Sequence, residues 1–431
     1  MTRKVIVNAV RIITAALFIF SGFVKAVDPL GTQYKINDYL TALGADWLVS
    51  DMITLPASMV LSAFEFCLGV FLLFAVKRKL ITRLIMAFMA VMTVVTLWIA
   101  VANPISDCGC FGDAVVIGNT ETFIKNVILT AFAVILCRYD EDMLPFVRPS
   151  AQWVVTNYTV VFIFVVSGYS LYFLPQFDFR PYYVGADIKK GMEIPEGAEA
   201  PEFETTFIME KEGVRKEFNL EDYPDSTWTF VDNKTVMTKK GYEPPIHDFS
   251  ITMSETGEDI TDDILDDPDY VFLVVSPYLE LADDSNFGEI DRIYEYAMEN
   301  GYRFYGVTSS GEDAVERWRD ITGAEYQFCN ADAIMLKTMI RSNPGLVLLK
   351  NGVVIGKWSH NSLPMFDTSD ESMVKVLADS SQQKSVAQKV IEMLLWFFLP
   401  LMLLTLADRF YNIHGWIKKM RGRKNSNTKE N

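Results

Sequence analysis

The sequence is poor in side chains that build metal centres. It has three histidines and five cysteines in 431 residues. No histidine or third cysteine stands close enough in sequence to the thiol pair Cys108 and Cys110 to complete four-coordination around zinc or copper. The acidic run Glu255, Glu258, Asp259, Asp262, Asp263, Asp266, Asp267 and Asp269 lacks the glycine and ligand spacing of an EF-hand and reads as a solvated loop. Basic residues are in deficit, 39 against 55 acidic ones, for a net charge of −16. That balance argues against nucleic acid as a partner, which needs a basic face. The deficit is local, since acidic residues crowd into 178–385 while the termini and one short loop are basic.

What the sequence has in excess is apolar residue, 50% against 22% charged. The apolar residues gather in nearly charge-free runs long enough to cross about 30 Å of hydrocarbon. Six spans are expected: Val5 to Val27, Met52 to Val76, Leu80 to Ala102, Phe123 to Cys137, Trp153 to Leu174 and Val390 to Ala407. The fourth is short and needs its polar flanks to finish the crossing. A signal peptide would share the basic start of the first run, but no small-residue cleavage pattern follows before Asp28-Pro29.

Arg3 and Lys4, then Lys77, Arg78, Lys79 and Arg83, then Arg138 and Arg148, and finally Lys418, Lys419, Arg421, Arg423 and Lys424 all fall on one side of a six-span chain. The positive-inside rule makes that side cytoplasmic. Loops 28–51 and 103–122 and the segment 176–386 then face an oxidising compartment.

Between the fifth and sixth spans the chain alternates strands and helices. Tyr270 to Val275 is a buried strand, Phe287 to Glu299 a helix, Arg303 to Thr308 a strand, and Glu312 to Ile321 and Ala333 to Ile340 are helices. Asn343-Pro344 leads into Gly345 to Leu349, and Lys350-Asn351-Gly352 reads as a hairpin turn to Val353 through Trp358. This order predicts an α/β domain with a mixed sheet. Over about 245–365 it resembles the thioredoxin-like fold, with Pro344 in the place of the family's usually cis proline. The stretch Gly197-Ala198-Glu199-Ala200-Pro201-Glu202-Phe203 is similar to the opening of peroxiredoxin-like and TlpA-like domains. The family's Cys-x-x-Cys is missing: its place reads Ser276-Pro277-Tyr278-Leu279-Glu280. Cys329 is the domain's one thiol and reads as a small packing residue, with a resolving role for another thiol as the alternative. The domain is expected to bind or dock rather than to carry a redox pair.

Cys67 and Cys137 fall within spans and read as packing residues. Cys108 and Cys110 differ, standing in Asp107-Cys108-Gly109-Cys110-Phe111-Gly112-Asp113 between two spans. Glycine lets the backbone fold so that the sulfurs can meet. A bridge over one intervening residue should be strained, and strained bridges are labile. Redox exchange is the favoured reading; a static staple, which would contribute little over so short a loop, and a metal site remain open. The loop carries no basic residue, and Asp107 and Asp113 would raise the thiol pKa. Glu65, within the second span, is costly in hydrocarbon and is a functional candidate by default, with Lys25 as a possible partner.

The first 140 residues resemble the DoxX/MauE group of four-helix membrane proteins. The resemblance rests on Gly22-Phe23-Val24-Lys25-Ala26-Val27-Asp28-Pro29, on Glu65-Phe66-Cys67-Leu68-Gly69, on Cys108-Gly109-Cys110-Phe111-Gly112 and on Lys125-Asn126. It implies a bacterial inner-membrane protein associated with disulfide or electron-transfer chemistry. DsbB and vitamin K epoxide reductase suggest a quinone acceptor by fold-level analogy alone; no other cofactor is evident.

The expected organisation is a four-helix membrane domain (1–150), a fifth span (151–175), a periplasmic domain (176–386), and a sixth span with a basic tail (387–431). The expected function is thiol–disulfide exchange with a periplasmic client or redox partner, with Cys108, Cys110 and Glu65 as the site. A non-enzymatic envelope scaffold, in contact with lipid and periplasmic partners, is the alternative. Small-molecule transport rests on Glu65 and the span count alone.

Overall fold

The computed structural model describes residues 2–105, 107–195, 197–198, 202–211, 214–219, 229–239, 241–366, 373, 376 and 384–427. The chain divides into two units, residues 1–180 with 358–431, and residues 181–357.

In the first unit the helices are α1 (Thr2–Val27), α2 (Pro29–Ala42), α3 (Asp51–Leu73), α4 (Arg78–Ala102), α5 (Asn119–Arg138) and α6 (Gln152–Tyr172). All but α2, together with a terminal helix at Val386–Asn427, are long and apolar enough to cross a membrane, giving six candidate spans among the described residues. The fourth span does recruit its polar flank, running 20 residues from Asn119.

Helices α1 and α3 touch backbone to backbone. A Cβ on Gly22 would lie 2.3 Å from the Phe66 nitrogen, and one on Gly69 would lie 2.6 Å from the Ile19 nitrogen. Hydrocarbon provides no hydrophobic drive between helices, so small residues permitting such close approach hold the pair by dispersion. Below this contact, Val7, Phe18, Leu72, Ile85, Leu129 and Leu136 form an apolar core. Helices α4 and α5 add polar cross-links, Thr93 to Thr130 at 2.7 Å and the Asn126 amide donating to Thr96 at 3.2 Å. The terminal helix meets α6 through Phe397 and Phe162, edge to face at 4.8 Å.

Helix α2 escaped the sequence reading. Its start has a standard signal: Asp28 accepts the Gly31 amide at 2.9 Å as N-cap, and Pro29 occupies the first turn. Gln33 donates to Asp51 at 2.6 Å and Ser58 donates to the Pro29 carbonyl at 3.0 Å, tying α2 to α3.

The second unit contains α7 (Ile188–Met192), then β1 (Glu202–Lys211), β2 (Val214–Asn219) and β3 (Thr229–Lys239), an antiparallel sheet ordered β2-β1-β3. There follow β4 (Thr252–Met253), α8 (Thr261–Leu265), β5 (Tyr270–Ser276), α9 (Phe287–Glu299), β6 (Arg303–Thr308) and α10 (Glu312–Thr322). The unit closes with β7 (Gln327–Asn330), α11 (Ala333–Met339), β8 (Gly345–Lys350) and β9 (Val353–Ser359). The second sheet is ordered β4-β7-β6-β5-β8-β9, with β5 parallel to β6 and antiparallel to β8. Strand β5 sits at its centre, and Val271 to Ser276 are buried, as an apolar run flanked on both faces requires. Asn351 and Gly352 both have positive φ, the two-residue turn whose twist matches a hairpin. The Asn343–Pro344 peptide is cis. The β6-β5-β8-β9 core is that of a thioredoxin-like fold, as expected. The sheet β1–β3, the edge strand β4 and its neighbour β7 were not foreseen. Of the peroxiredoxin-like opening, Glu199 to Pro201 lie outside the described residues.

Cys329 is fully buried in β7, its sulfur 3.6 Å from that of Met253, and burial pushes its thiol up to about 12. This environment suits packing and denies access to a second thiol. Cys329→Ser should therefore lower the unfolding temperature of the full chain, because it buries a hydroxyl at a cost of about 1–3 kcal/mol. It should leave the redox behaviour of Cys108 and Cys110 unchanged.

Candidate functional site

The glycine contacts between α1 and α3 explain the spacing of the residues around them. Lys25 lies one turn after Gly22 and Glu65 one turn before Gly69, so the same approach that joins the backbones brings the two side chains together. Lys25 Nζ is 2.8 Å from both Glu65 carboxyl oxygens, and Lys25 and Glu65 are 7% and 3% exposed. Lys25 stands near the end of α1 and Glu65 well inside α3, and the long lysine stem spans that difference. Ser21, one turn before Lys25, lies 2.7 Å from Glu65 Oε2 and 2.7 Å from the Cys110 carbonyl.

The dithiol loop follows α4. Gly109 takes a left-handed conformation (φ 65°), and a Cβ there would press on the Lys35 stem at 3.1 Å. This turn sets the two sulfurs 3.0 Å apart as free thiols. Cys108 is buried and Cys110 half-buried. From α2, the Tyr39 hydroxyl donates to the Cys108 carbonyl at 2.8 Å and lies 3.2 Å from its sulfur. Both cysteines line a cavity of about 200 Å³ walled by Val24, Ile36, Tyr39, Leu61 and Met92. Cys110 also lines a smaller one of about 40 Å³ between α1, α4 and α5.

The loop's own charges act differently from the expectation. Asp107 is engaged elsewhere, accepting the Gly109 amide at 2.8 Å and pairing with Lys35 at 2.7 Å. The cations that act on the thiols come from helices distant in sequence. The Cys110 thiol is held below its ordinary range by the hydrogen bond from Cys108 and by the charges of Lys125 and Lys25, against burial and Glu65. Lys125 stands 4.3 Å over the Phe111 ring. The Cys108 thiol moves the other way, raised by its contact with Cys110 and by burial, with Tyr39 and Lys25 opposing. Burial and the neighbouring Cys108 raise the Tyr39 phenol too, which keeps it a hydrogen-bond donor. The two sulfurs are thus chemically unequal.

Cys108, Cys110 and Glu65 come together around Lys25, while Cys67 packs in an apolar cluster with Phe66 and Val70, apart from them. The sequence reading missed Ser21, Lys35, Tyr39 and the role of Lys125. Only Lys125 had a signal, as part of the Lys-Asn start to the fourth span. Among the described residues no group of three or more His, Cys, Asp or Glu is placed to hold a metal ion.

Comparison with known proteins matches residues 3–139 to the family Methylamine utilisation protein MauE. Residues 203–240 match a family described as a domain of unknown function, DUF8463. No curated protein matches the chain. Among solved structures, the chain is similar to a candidate protein disulfide isomerase from Bacteroides thetaiotaomicron. That similarity has 15% identity and a TM-score of 0.23, covering 32% of this chain and 85% of the other. The N-terminal membrane part of this chain is therefore MauE-like.

Proposed function

We propose that this chain is a membrane thiol–disulfide exchange protein whose working pair is Cys108 and Cys110. One observation carries the reading: two free sulfurs 3.0 Å apart, the half-buried one held below its ordinary thiol range by the hydrogen bond from Cys108 and by the charges of Lys125 and Lys25. Thiolate is the attacking species in exchange, so a lowered thiol identifies Cys110 as the sulfur that joins the client. Cys108, covered by Tyr39, then resolves the mixed disulfide. The charge distribution of the loops supports cytoplasmic termini; with the MauE likeness pointing to a bacterial inner membrane, the pair and residues 176–386 would face the periplasm. The client class is a periplasmic protein carrying thiols or a disulfide.

The thioredoxin-like unit carries no such pair. Ser276 donates to Asn343 at 2.6 Å, and Asn343 donates to the Tyr278 carbonyl at 2.8 Å, so the loop in the usual Cys-x-x-Cys place is tied by polar bonds. This supports a docking role for that unit. A scaffold without exchange chemistry is the second reading, which the same observation favours.

Differential alkylation of Cys108 and Cys110 in native membranes, titrated across glutathione potentials, tests the proposal. Reversible pairing between about −120 and −270 mV is expected, the range of working exchange proteins. Thiols that never pair, or a bridge that resists reduction until below about −300 mV, would leave the scaffold.

A further inference from the structure

Helix α2 lays one face across the dithiol loop. Lys35 and Tyr39, four residues apart and so on the same side of the helix, both reach it. Lys35 pairs with Asp107 at 2.7 Å, and its stem lies against Gly109. Tyr39 meets Cys108 twice, its hydroxyl 2.8 Å from the carbonyl oxygen and 3.2 Å from the sulfur. The ties from Gln33 and Pro29 to α3 fix the helix that carries both side chains. Among the described residues, two groups lie within hydrogen-bond reach of the Cys108 sulfur: Cys110 Sγ at 3.0 Å and this hydroxyl.

A phenol has one hydrogen, and here it faces two acceptors on one residue. Which of them it serves depends on the charge of the sulfur. An uncharged sulfur is a weak acceptor, so the hydrogen goes to the carbonyl, the closer of the two. A thiolate is a charged acceptor, and such hydrogen bonds are roughly twice as strong as neutral ones. The hydroxyl can then turn to the sulfur without movement of the ring, since both acceptors are already in reach. Burial and the neighbouring Cys108 raise the Tyr39 phenol, so it stays a donor while that sulfur is negative. The nearby ammonium groups are engaged: Lys25 lies 2.8 Å from both Glu65 oxygens, and Lys35 is taken by Asp107.

We propose that Tyr39 is a catalytic residue of the exchange: its hydroxyl hydrogen turns from the Cys108 carbonyl to the Cys108 sulfur as the bridge opens, so that Cys108 leaves as a hydrogen-bonded thiolate. This rests on the exchange reading above. For a client dithiol, one client thiolate attacks Cys110 Sγ, and the Cys108–Cys110 bond breaks with its electron pair on Cys108. A stabilised thiolate leaves faster, so the hydrogen bond from Tyr39 speeds this step. The second client thiolate attacks the client sulfur of the mixed disulfide, and Cys110 departs with the electron pair of that bond. The client loses two electrons and the pair gains two. Of the two protons the client thiols give up, one ends on Cys108, and the hydroxyl returns to the carbonyl. The other ends on Cys110 or in water, according to pH.

Opening of the oxidised full chain by N-acetylcysteine at fixed pH tests this, with the released Cys108 trapped by alkylation and counted by mass spectrometry. Tyr39→Phe should slow the opening roughly fivefold or more. Its equilibrium constant with glutathione should change less than threefold, because the bond to sulfur exists only while Cys108 is charged. A hydroxyl that merely held the loop through the carbonyl would move rate and equilibrium together. In place of Tyr39, 3-fluorotyrosine keeps the ring and is a stronger donor, so it should speed the opening by about two- to fivefold. That substitution decides the matter where Tyr39→Phe does not fold. A smaller slowing in Tyr39→Phe, an equilibrium shift of threefold or more, or a fluorotyrosine protein no faster than the wild type would each overturn the proposal. Absence of pairing in the glutathione titration would instead fail the exchange reading itself, and this role with it.

Discussion

Gly22→Val should keep α1 from seating on α3. Even a bare Cβ at Gly22 meets the Phe66 nitrogen at 2.3 Å and its Cα at 2.8 Å. Both are backbone atoms, which cannot rotate aside as a side chain can. Valine therefore forces the helices apart along the contact that also joins Lys25 to Glu65. Overpacking of this kind costs about 1–3 kcal/mol, and sometimes more. Separating the ion pair leaves two buried charges uncompensated, a loss of about 3–5 kcal/mol when one partner is removed outright. The sum is comparable with the whole stability of an ordinary domain, so little folded protein should be recovered from detergent on size-exclusion chromatography. Gly168→Ala is the matched control: it lies in α6 with nothing within 4 Å of an added Cβ, and should elute like the wild type. Equal recovery of the two variants would mean that the α1–α3 approach is not what holds this end of the bundle.

The second large effect is an asymmetry between the cysteines. Cys108→Ser should accumulate a mixed disulfide between Cys110 and its client, visible as a band on non-reducing gels that dithiothreitol removes. Cys110→Ser should accumulate none. The expectation follows from the unequal surroundings: Cys110 is half-buried between the charges of Lys25 and Lys125, while Cys108 is buried under Tyr39. With Cys108 gone, no internal thiol resolves the adduct, since Cys329 is fully buried. Adducts in both single variants would show that the two sulfurs are interchangeable. Adducts on Cys108 alone would reverse the assigned order.

The sequence carries the spans and the α/β order strongly, because both depend on long-range periodicity that survives without neighbours. Phe287–Glu299 and Arg303–Thr308 lie where the pattern puts them. Short edge strands such as Thr252–Met253 have no period to read, and the β1–β3 sheet is polar along much of its length. At the site, the thiols and Glu65 were visible as unusual residues in unusual places. The cations were not, because the seven residues Asp107 to Asp113 include none. Lys25 and Lys125 reach Cys110 from 85 and 15 positions away, a relation created by packing. The motif Gly-x-x-Lys-x-x-Asp-Pro now has a physical meaning: a contact point, a charge, a helix cap and a first-turn proline.

The wall of the small cavity beside the ion pair bears on how the protein answers to salt. Phe18, Met89 and Leu129 line the space that Lys25, Glu65 and Cys110 also line, so the charged cluster has an apolar wall. Charges enclosed in this way are screened little by dissolved ions. Ionic strength should therefore leave the Lys25–Glu65 cross-link between α1 and α3 in place, where it would loosen an exposed pair such as Lys79 and Glu141.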